Sequence, residues 1–272
     1  MSSYGPLADW YDSLTEDVDY EGLYAYLMAI FHRNGIQPDT VLDMACGTGS
    51  LSILFAENGS RCYGMDLSVD MLTRGAMKVQ DMDPAPMFLH GDMADFTLPE
   101  QVDVLVCMLD SFNYMATPEQ GLRAISCFAR ALRPGGMLVF DVRPPEQLRA
   151  FDGQMFMDET EDVVCIWRTE FDEKENQCFY GMDIFVKGSS GGGSRRSMWN
   201  MPILSRGFRS SFRRRALPTS IFTGSGRSCH PSPMKSGCLL QHERKSTHDR
   251  SACPGHDTGR LCKNHGGEHH GT

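Results

Sequence analysis

Apolar residues recur at Leu23, Tyr26, Leu27, Ile30 and Phe31. Intervals of three and four align them on one side of a helix, so the pattern predicts a helix over residues 19–34 with one buried face. Residues 40–45 are a short apolar run ending in Gly47-Thr48-Gly49, which predicts a buried strand and a tight turn. Residues 50–58 return to helical spacing, with Gly59 as C-terminal cap. A second strand is predicted over 61–65, ending at Asp66, and Ser68 caps a helix over 69–79. Residues 87–90 make a third strand before Gly91-Asp92. Residues 102–108 make a fourth, almost wholly apolar and so buried on both faces. Thr117 and Pro118 open a helix over 118–132. Pro134-Gly135-Gly136 forms a turn, and 137–142 is a fifth strand. Strands alternating with helices predict an α/β fold with a doubly wound, mostly parallel sheet.

After Pro144-Pro145 the pattern changes. Residues 163–171 and 177–186 are β-like runs around the polar segment 172–176. They predict a small antiparallel hairpin, within about 150–187, that caps the functional edge of the sheet. Residues 188–194 read Gly-Ser-Ser-Gly-Gly-Gly-Ser, a flexible linker by composition. The remainder has no Val and no Tyr, and its few apolar residues keep no period. Such a segment cannot bury enough surface to offset its ordering entropy. The expected organisation is one folded domain over 1–188 and a poorly ordered Gly/Ser/Arg/His-rich tail over 189–272.

Charge sharpens that division. Residues 1–188 carry 12 Lys and Arg against 31 Asp and Glu, a net −19, whereas 189–272 carry a net +10. Four of the ten cysteines and seven of the nine histidines lie in the second part. Cys229 and Cys238 are nine apart and no C-x-x-C pair exists, so no metal site is predicted. Arg213-Arg214-Arg215 with Trp199, Phe208 and Phe212 leaves nucleic-acid binding as a disfavoured alternative. No run approaches the roughly 18 apolar residues of a membrane span. The N-terminus lacks a basic region followed by an apolar run, and the six cysteines before residue 188 sit in apolar or Gly-rich contexts. Together these predict a cytoplasmic protein with reduced thiols.

The run Val41-Leu42-Asp43-Met44-Ala45-Cys46-Gly47-Thr48-Gly49-Ser50 carries the strongest chemistry. Gly47 and Gly49 let the backbone approach a ligand closely, and Asp43 aims an acidic oxygen at the same place. Asp66 lies 19 residues after Gly47, at the end of the next strand, where a carboxylate accepts from both hydroxyls of a ribose. Gly91-Asp92-Met93 can reach an adenine, Asp92 accepting from its amine and Met93 packing on its ring. A nicotinamide-binding loop would need a third glycine, and Asp43 would sit beside its pyrophosphate. The acidic lining Asp43, Asp66 and Asp92, with no Lys or Arg near the loop, instead favours a cationic cofactor.

These motifs, in this order, resemble the class I S-adenosylmethionine-dependent methyltransferases, in particular bacterial small-molecule-type members. The resemblance covers roughly residues 4–187. Tyr4-Gly5-Pro6-Leu7-Ala8-Asp9-Trp10-Tyr11-Asp12-Ser13-Leu14, with Asp19-Tyr20 beyond, is similar to the family's N-terminal element, and Leu132-Arg133-Pro134-Gly135-Gly136-Met137-Leu138 to its turn into the fifth strand. The resemblance implies a Rossmann-like fold and S-adenosylmethionine as cofactor. It implies that Asp43, Ala45, Gly47 and Gly49 flank the methionine portion, that Asp66 and Met71 face the ribose and adenine, and that Asp92 and Met93 face the adenine. Tyr11 would fold over the cofactor. Leu109-Asp110-Ser111-Phe112-Asn113-Tyr114 would border the methyl-transfer position, with Leu109 against the cofactor and Asp110 and Asn113 as catalytic candidates. That segment departs from the Asp/Asn-Pro-Pro-Tyr pattern of enzymes that methylate planar amino groups.

The expected activity is methyl transfer to a small-molecule nucleophile. An RNA methyltransferase and a non-catalytic S-adenosylmethionine-binding remnant are the alternatives. The codons of Met198-Trp199-Asn200-Met201-Pro202, read two nucleotides later, give Val, Glu, Tyr or His, then Ala; with AGG for Arg195 and Arg196 and AGC for Ser197 that frame reads Glu-Glu-His-Val-Glu-Tyr-Ala-Tyr, which resembles the acidic strand before the last helix of this group. The segment after about Gly188 therefore also resembles an out-of-frame product.

Overall fold

The computed structural model describes residues 7–187 in full and the backbone of 194–204 and 220–224. In chain order the elements are α1 (Tyr11–Leu14), α2 (Tyr20–Arg33), β1 (Thr40–Met44), α3 (Ser50–Glu57), β2 (Arg61–Asp66), α4 (Val69–Lys78), β3 (Met87–His90) and β4 (Val102–Cys107). A 3₁₀ turn (Ser111–Tyr114) follows, then α5 (Pro118–Ala131), β5 (Leu132–Asp141), α6 (Pro145–Arg149), β6 (Met155–Glu159), β7 (Val163–Asp172), β8 (Gln177–Val186), β9 (Ser194–Leu204) and β10 (Ser220–Gly224).

Local chemistry fixes the helix starts. The Asp19 carboxylate accepts from the Gly22 N–H at 2.7 Å and opens α2. The Ser68 hydroxyl accepts from Met71 N and opens α4. Thr117 and Gln120 form a reciprocal capping box at α5, with Pro118 in its first turn, an arrangement that contributes about 1 kcal/mol.

The main sheet has the order β10-β5-β4-β1-β2-β3, and all of its pairings are parallel. Successive side chains of its strands point to opposite faces. On one face Leu42, Met44, Leu105, Leu138 and Phe140 pack with Ala124, Ile125 and Phe128 of α5. On the other, Val41, Val104, Val106 and Val139 pack with Leu27 and Phe31 of α2 and Leu51 and Phe55 of α3. Every residue of β4 is buried, as its apolar run predicts. Each such Val, Leu or Phe contributes about 1.5–3 kcal/mol on burial. The strand order reverses between β1 and β4, which opens a crevice at the carboxyl ends of the strands.

The smaller sheet is antiparallel, in the order β6-β7-β8-β9. Its β7–β8 pair is the expected hairpin, turning through residues 173–176. The strand β6 is an addition to that expectation: its five residues alternate too briefly to stand out from the loop before them. Two described stretches beyond residue 188 are strands, β9 beside β8 and β10 beside β5. The remainder of the Gly/Ser/Arg/His-rich segment, with its cysteines and histidines, lies outside the described residues.

The Pro134-Gly135-Gly136 segment does not precede the fifth strand but interrupts it. Leu132 pairs with Val102 and Met137 with Val104, so residues 133–136 bulge between neighbouring positions of the ladder. Gly135 takes φ +83° there, and a Cβ on Gly136 would sit 2.8 Å from the Asp103 carbonyl. That close approach explains why the turn residues lie inside a strand.

Candidate active site

Most of the candidate side chains gather at the carboxyl edge of the main sheet. After β1 the chain turns through three left-handed residues, Ala45 (φ +59°), Gly47 (φ +58°) and Gly49 (φ +80°). Cys46 N–H donates to the Met65 carbonyl at 3.0 Å, and Gly49 N–H to the Cys46 carbonyl at 2.9 Å. Asp66 clasps the turn from β2: one carboxylate oxygen accepts from Gly47 N–H at 2.9 Å, the other from Ser68 N–H at 2.8 Å. Asp43 lies buried beneath the turn and accepts from the Ser52 hydroxyl of α3 at 2.6 Å.

Burial pushes the Asp43 carboxyl up to about 7; Ser52 opposes the shift and the nearby Asp66 adds to it. Burial raises Asp66 as well, against the hydrogen bonds from Ser68, Gly47 and Leu67.

Two expectations change in this region. The missing side chain at Gly49 makes room for a neighbouring ring, because a Cβ there would lie 2.4 Å from Phe88 of β3. Phe88 fills a notch formed by Gly49, Gly64 and Gly75. Nor is the loop free of basic residues. Lys78, at the end of α4, donates to Thr48 Oγ1 at 3.2 Å and Ser50 Oγ at 3.3 Å, and pairs with Asp12 at 3.0 Å. Thirty residues separate Lys78 from Thr48, so only the packing of α4 against the loop brings them together.

Asp92 and Met93 follow β3 on the same edge. Asp92 is exposed and accepts from Ala94 N–H at 2.8 Å, while Met93 is half-buried against the core. Met71 stands apart. Its side chain is buried with Leu7, Ala8, Leu14, Trp167 and Tyr180, in the cluster that joins α4, the N-terminal segment and the smaller sheet.

The turn after β4 is held by a polar network. Leu109 and Asp110 are both left-handed, at φ +57° and +53°. Their N–H groups donate to the two oxygens of one buried carboxylate, Asp141 at the end of β5, at 3.1 and 2.8 Å. Asp110 in turn pairs with the buried Arg143 guanidinium. Asn113 exchanges two hydrogen bonds with the Arg143 backbone, accepting from its N–H at 2.8 Å and donating to its carbonyl at 3.1 Å. Burial, and then the Asp110 charge, push Asp141 well above the usual carboxylate range. Sequence reasoning missed Asp141 and Arg143. The signal for Asp141 was present: like Asp43 and Asp66, it is an acidic residue ending an apolar strand.

Above the crevice, the Tyr11 ring lies beside Gly47: a Cβ added to that glycine would sit 3.7 Å from the Tyr11 Cε1. The Tyr11 hydroxyl faces Tyr20, Tyr114 and Asp66, and burial raises its pKa well above the usual tyrosine value.

Residues 41–136 match a family model described as a methyltransferase domain. Over 185 residues the chain is 33% identical to the putative methyltransferase YqeM of Bacillus subtilis, an alignment covering 67% of this chain and 73% of that protein. The chain belongs to the S-adenosylmethionine-dependent methyltransferases. It is also 33% identical over 137 residues to the dTDP-3-amino-3,4,6-trideoxy-alpha-D-glucopyranose N,N-dimethyltransferase of Streptomyces venezuelae, covering 49% of this chain and 56% of that protein. The fold matches the crystal structure of an S-adenosylmethionine-dependent methyltransferase from Clostridium acetobutylicum at a TM-score of 0.67 and 22% identity, over 77% of this chain and 85% of that one.

The residues of this methyltransferase fit the cofactor. Asp43 is buried, and the nearby half-buried Asp66 adds to the rise of its pKa; the basic side chain nearest the loop, Lys78, is engaged by Asp12. A ligand with a positively charged sulfonium and ammonium relieves that repulsion. Among the described residues no cluster of three or more His, Cys, Asp or Glu could hold a metal ion, and no helix is long and apolar enough to cross a membrane.

Proposed function

We propose that this methyltransferase transfers the methyl group of S-adenosylmethionine to a nucleophilic atom of a small polar molecule bound beneath the cap sheet. The observation that carries this reading is the cover over the crevice. The N-terminal segment and the smaller sheet share one buried apolar cluster, edged by Tyr11 and Tyr114, and a cover of this kind suits a small acceptor better than a polynucleotide. The net charge of −19 over residues 1–188 also works against a polyanionic substrate. The likeness to a sugar N,N-dimethyltransferase supports an amine-bearing acceptor. The six described cysteines, all free, support a cytosolic location.

In this reading Gly47 and Ala45 lie along the methionine portion, with Asp43 beneath them. Asp66 takes the ribose hydroxyls, Asp92 and Met93 the adenine, and Tyr11 covers the cofactor. Leu109 abuts the methyl-transfer position. Asp110 and Asn113 shape the acceptor edge through Arg143. Methyl transfer from a sulfonium is an in-line displacement whose charge disperses in the transition state. Orientation and exclusion of water therefore supply much of the rate.

Titration calorimetry with S-adenosylmethionine and S-adenosylhomocysteine tests the cofactor, and a panel of amines and alcohols assayed for S-adenosylhomocysteine release tests the acceptor. The expected result is saturable cofactor binding, weakened at least tenfold in Asp66→Ala by the loss of about 1.4 kcal/mol or more. A folded sample that binds neither compound overturns the reading. Binding without turnover on any acceptor, including RNA, would favour a non-catalytic binding protein.

A further inference from the structure

The segment over residues 7–14 runs along one stripe of α4. Met71, Arg74 and Lys78 lie on successive turns of that helix, and each meets the segment. Met71 packs with Leu7, Ala8 and Leu14; Arg74 pairs with Asp9; Lys78 pairs with Asp12 at 3.0 Å. The Asp9–Arg74 pair is exposed on both sides, at 56% and 42%, and contributes little by itself. The second pair differs in its surroundings. The other oxygen of Asp12 accepts from the hydroxyl of Thr48, which is only 1% exposed. Lys78 reaches Asp12, Thr48 and Ser50 at once. Thr48 stands between Gly47 and Gly49, so this knot ties the segment directly to the glycine loop. One residue before Asp12, Tyr11 lies over Gly47.

We propose that Asp12 and Lys78 are positioning residues that fasten the N-terminal segment as a strap across the glycine loop, and so hold Tyr11 over the bound cofactor and slow its escape. The proposal rests on S-adenosylmethionine binding in this crevice. Neither side chain touches the cofactor; each acts through Tyr11. The knot closes the strap from its outer side, where Lys78 and Asp12 remain partly open to water, at 30% and 48% exposure. Salt therefore loosens it.

Two measurements on the full chain test the strap. The first is the dissociation rate of S-adenosylhomocysteine by stopped flow, for the wild type, Lys78→Met, Lys78→Arg and Arg74→Met. The second is hydrogen exchange of the backbone amides at 10–15, with and without ligand. Lys78→Met is expected to speed dissociation roughly tenfold, equivalent to about 1.4 kcal/mol, with the association rate changed far less. It is expected to shift Tm by less than about 3 °C. Lys78→Arg restores slow release, and Arg74→Met remains near wild type. Exchange at 10–15 rises in Lys78→Met even without ligand. Dissociation at the wild-type rate in Lys78→Met, or equal acceleration by Arg74→Met, overturns the proposal. If the wild type binds no S-adenosylhomocysteine, the functional reading fails, and exchange at 10–15 decides the strap separately: unchanged protection in Lys78→Met overturns it.

Discussion

Single residues at the loop illustrate how one glycine differs from another. Gly49 has φ +80° and a Cβ position 2.4 Å from the Phe88 ring, whereas Gly59 has φ +91° and nothing within 4 Å. Gly59→Ala meets backbone strain alone, expected to cost about 1 kcal/mol. Gly49→Ala adds a clash with a buried ring and is expected to cost about 3 kcal/mol. Urea unfolding of the two variants checks the contrast, and equal losses would refute the notch. Asp43 makes a prediction of a different kind. Its carboxyl is raised to about 7, so the folded chain keeps a proton that the unfolded chain releases near its ordinary value of about 4. The group therefore contributes stability below about pH 4 that fades as pH rises to about 7. A cationic cofactor favours the ionised form and drives that proton out. S-adenosylmethionine affinity should rise from pH 6 to pH 8, with proton release on binding at pH 6. Calorimetry in two buffers of different ionisation enthalpy measures it, and Asp43→Asn should flatten the dependence.

At the scale of elements, the end of β5 organises the turn after β4. Two consecutive left-handed residues, Leu109 and Asp110, are unfavourable without support, and the Asp141 carboxylate supplies it by accepting both N–H groups. Asp141→Ala leaves two donors without that acceptor and is expected to cost about 2–4 kcal/mol, whereas Asp141→Asn keeps one acceptor and should cost less. Denaturant titration ranks them; an inverted order would mean that the carboxylate is not what holds the turn. The helices and strands of this half of the molecule were legible from the chain, because their apolar period matches the face they bury. Residues 19–34 anticipated α2, and Ser68 and Thr117 cap the helices they were expected to cap. The bulge at 133–136 was not legible, since Pro and Gly mark a turn without saying whether a ladder resumes on both sides of it. Nor was β6, five residues long and, among the described residues, paired through β7 alone.

Across the whole molecule, one apolar cluster joins α4, the N-terminal segment and the smaller sheet, with Met71 among its buried members. Position along the chain makes Met71 a cofactor neighbour; packing makes it a joint between three parts. Met71→Ala is therefore expected to cost about 2–4 kcal/mol of stability while changing S-adenosylhomocysteine affinity less than threefold in the folded protein. Thermal unfolding and calorimetry decide between the two roles, and a large affinity loss at unchanged stability would return Met71 to the cofactor. The strap is a property of this same scale, since it exists only where residues 7–14, the glycine loop and α4 meet.

The sequence by itself determined the alternation of strands and helices, the glycine turn after β1, and the acids that end β1 and β2. Each of these follows from local rules: period, capping, and the need for glycine where φ is positive. The tertiary structure decided which partners those groups meet. It set Phe88 against Gly49, brought Lys78 and Asp12 to Thr48, placed Asp141 under the Leu109–Asp110 turn, and buried Met71 in the joint. These contacts span between 30 and 66 positions of chain in the case of Lys78. A sequence records no such distance until parallel strands and their crossover connections bring separate segments to one edge.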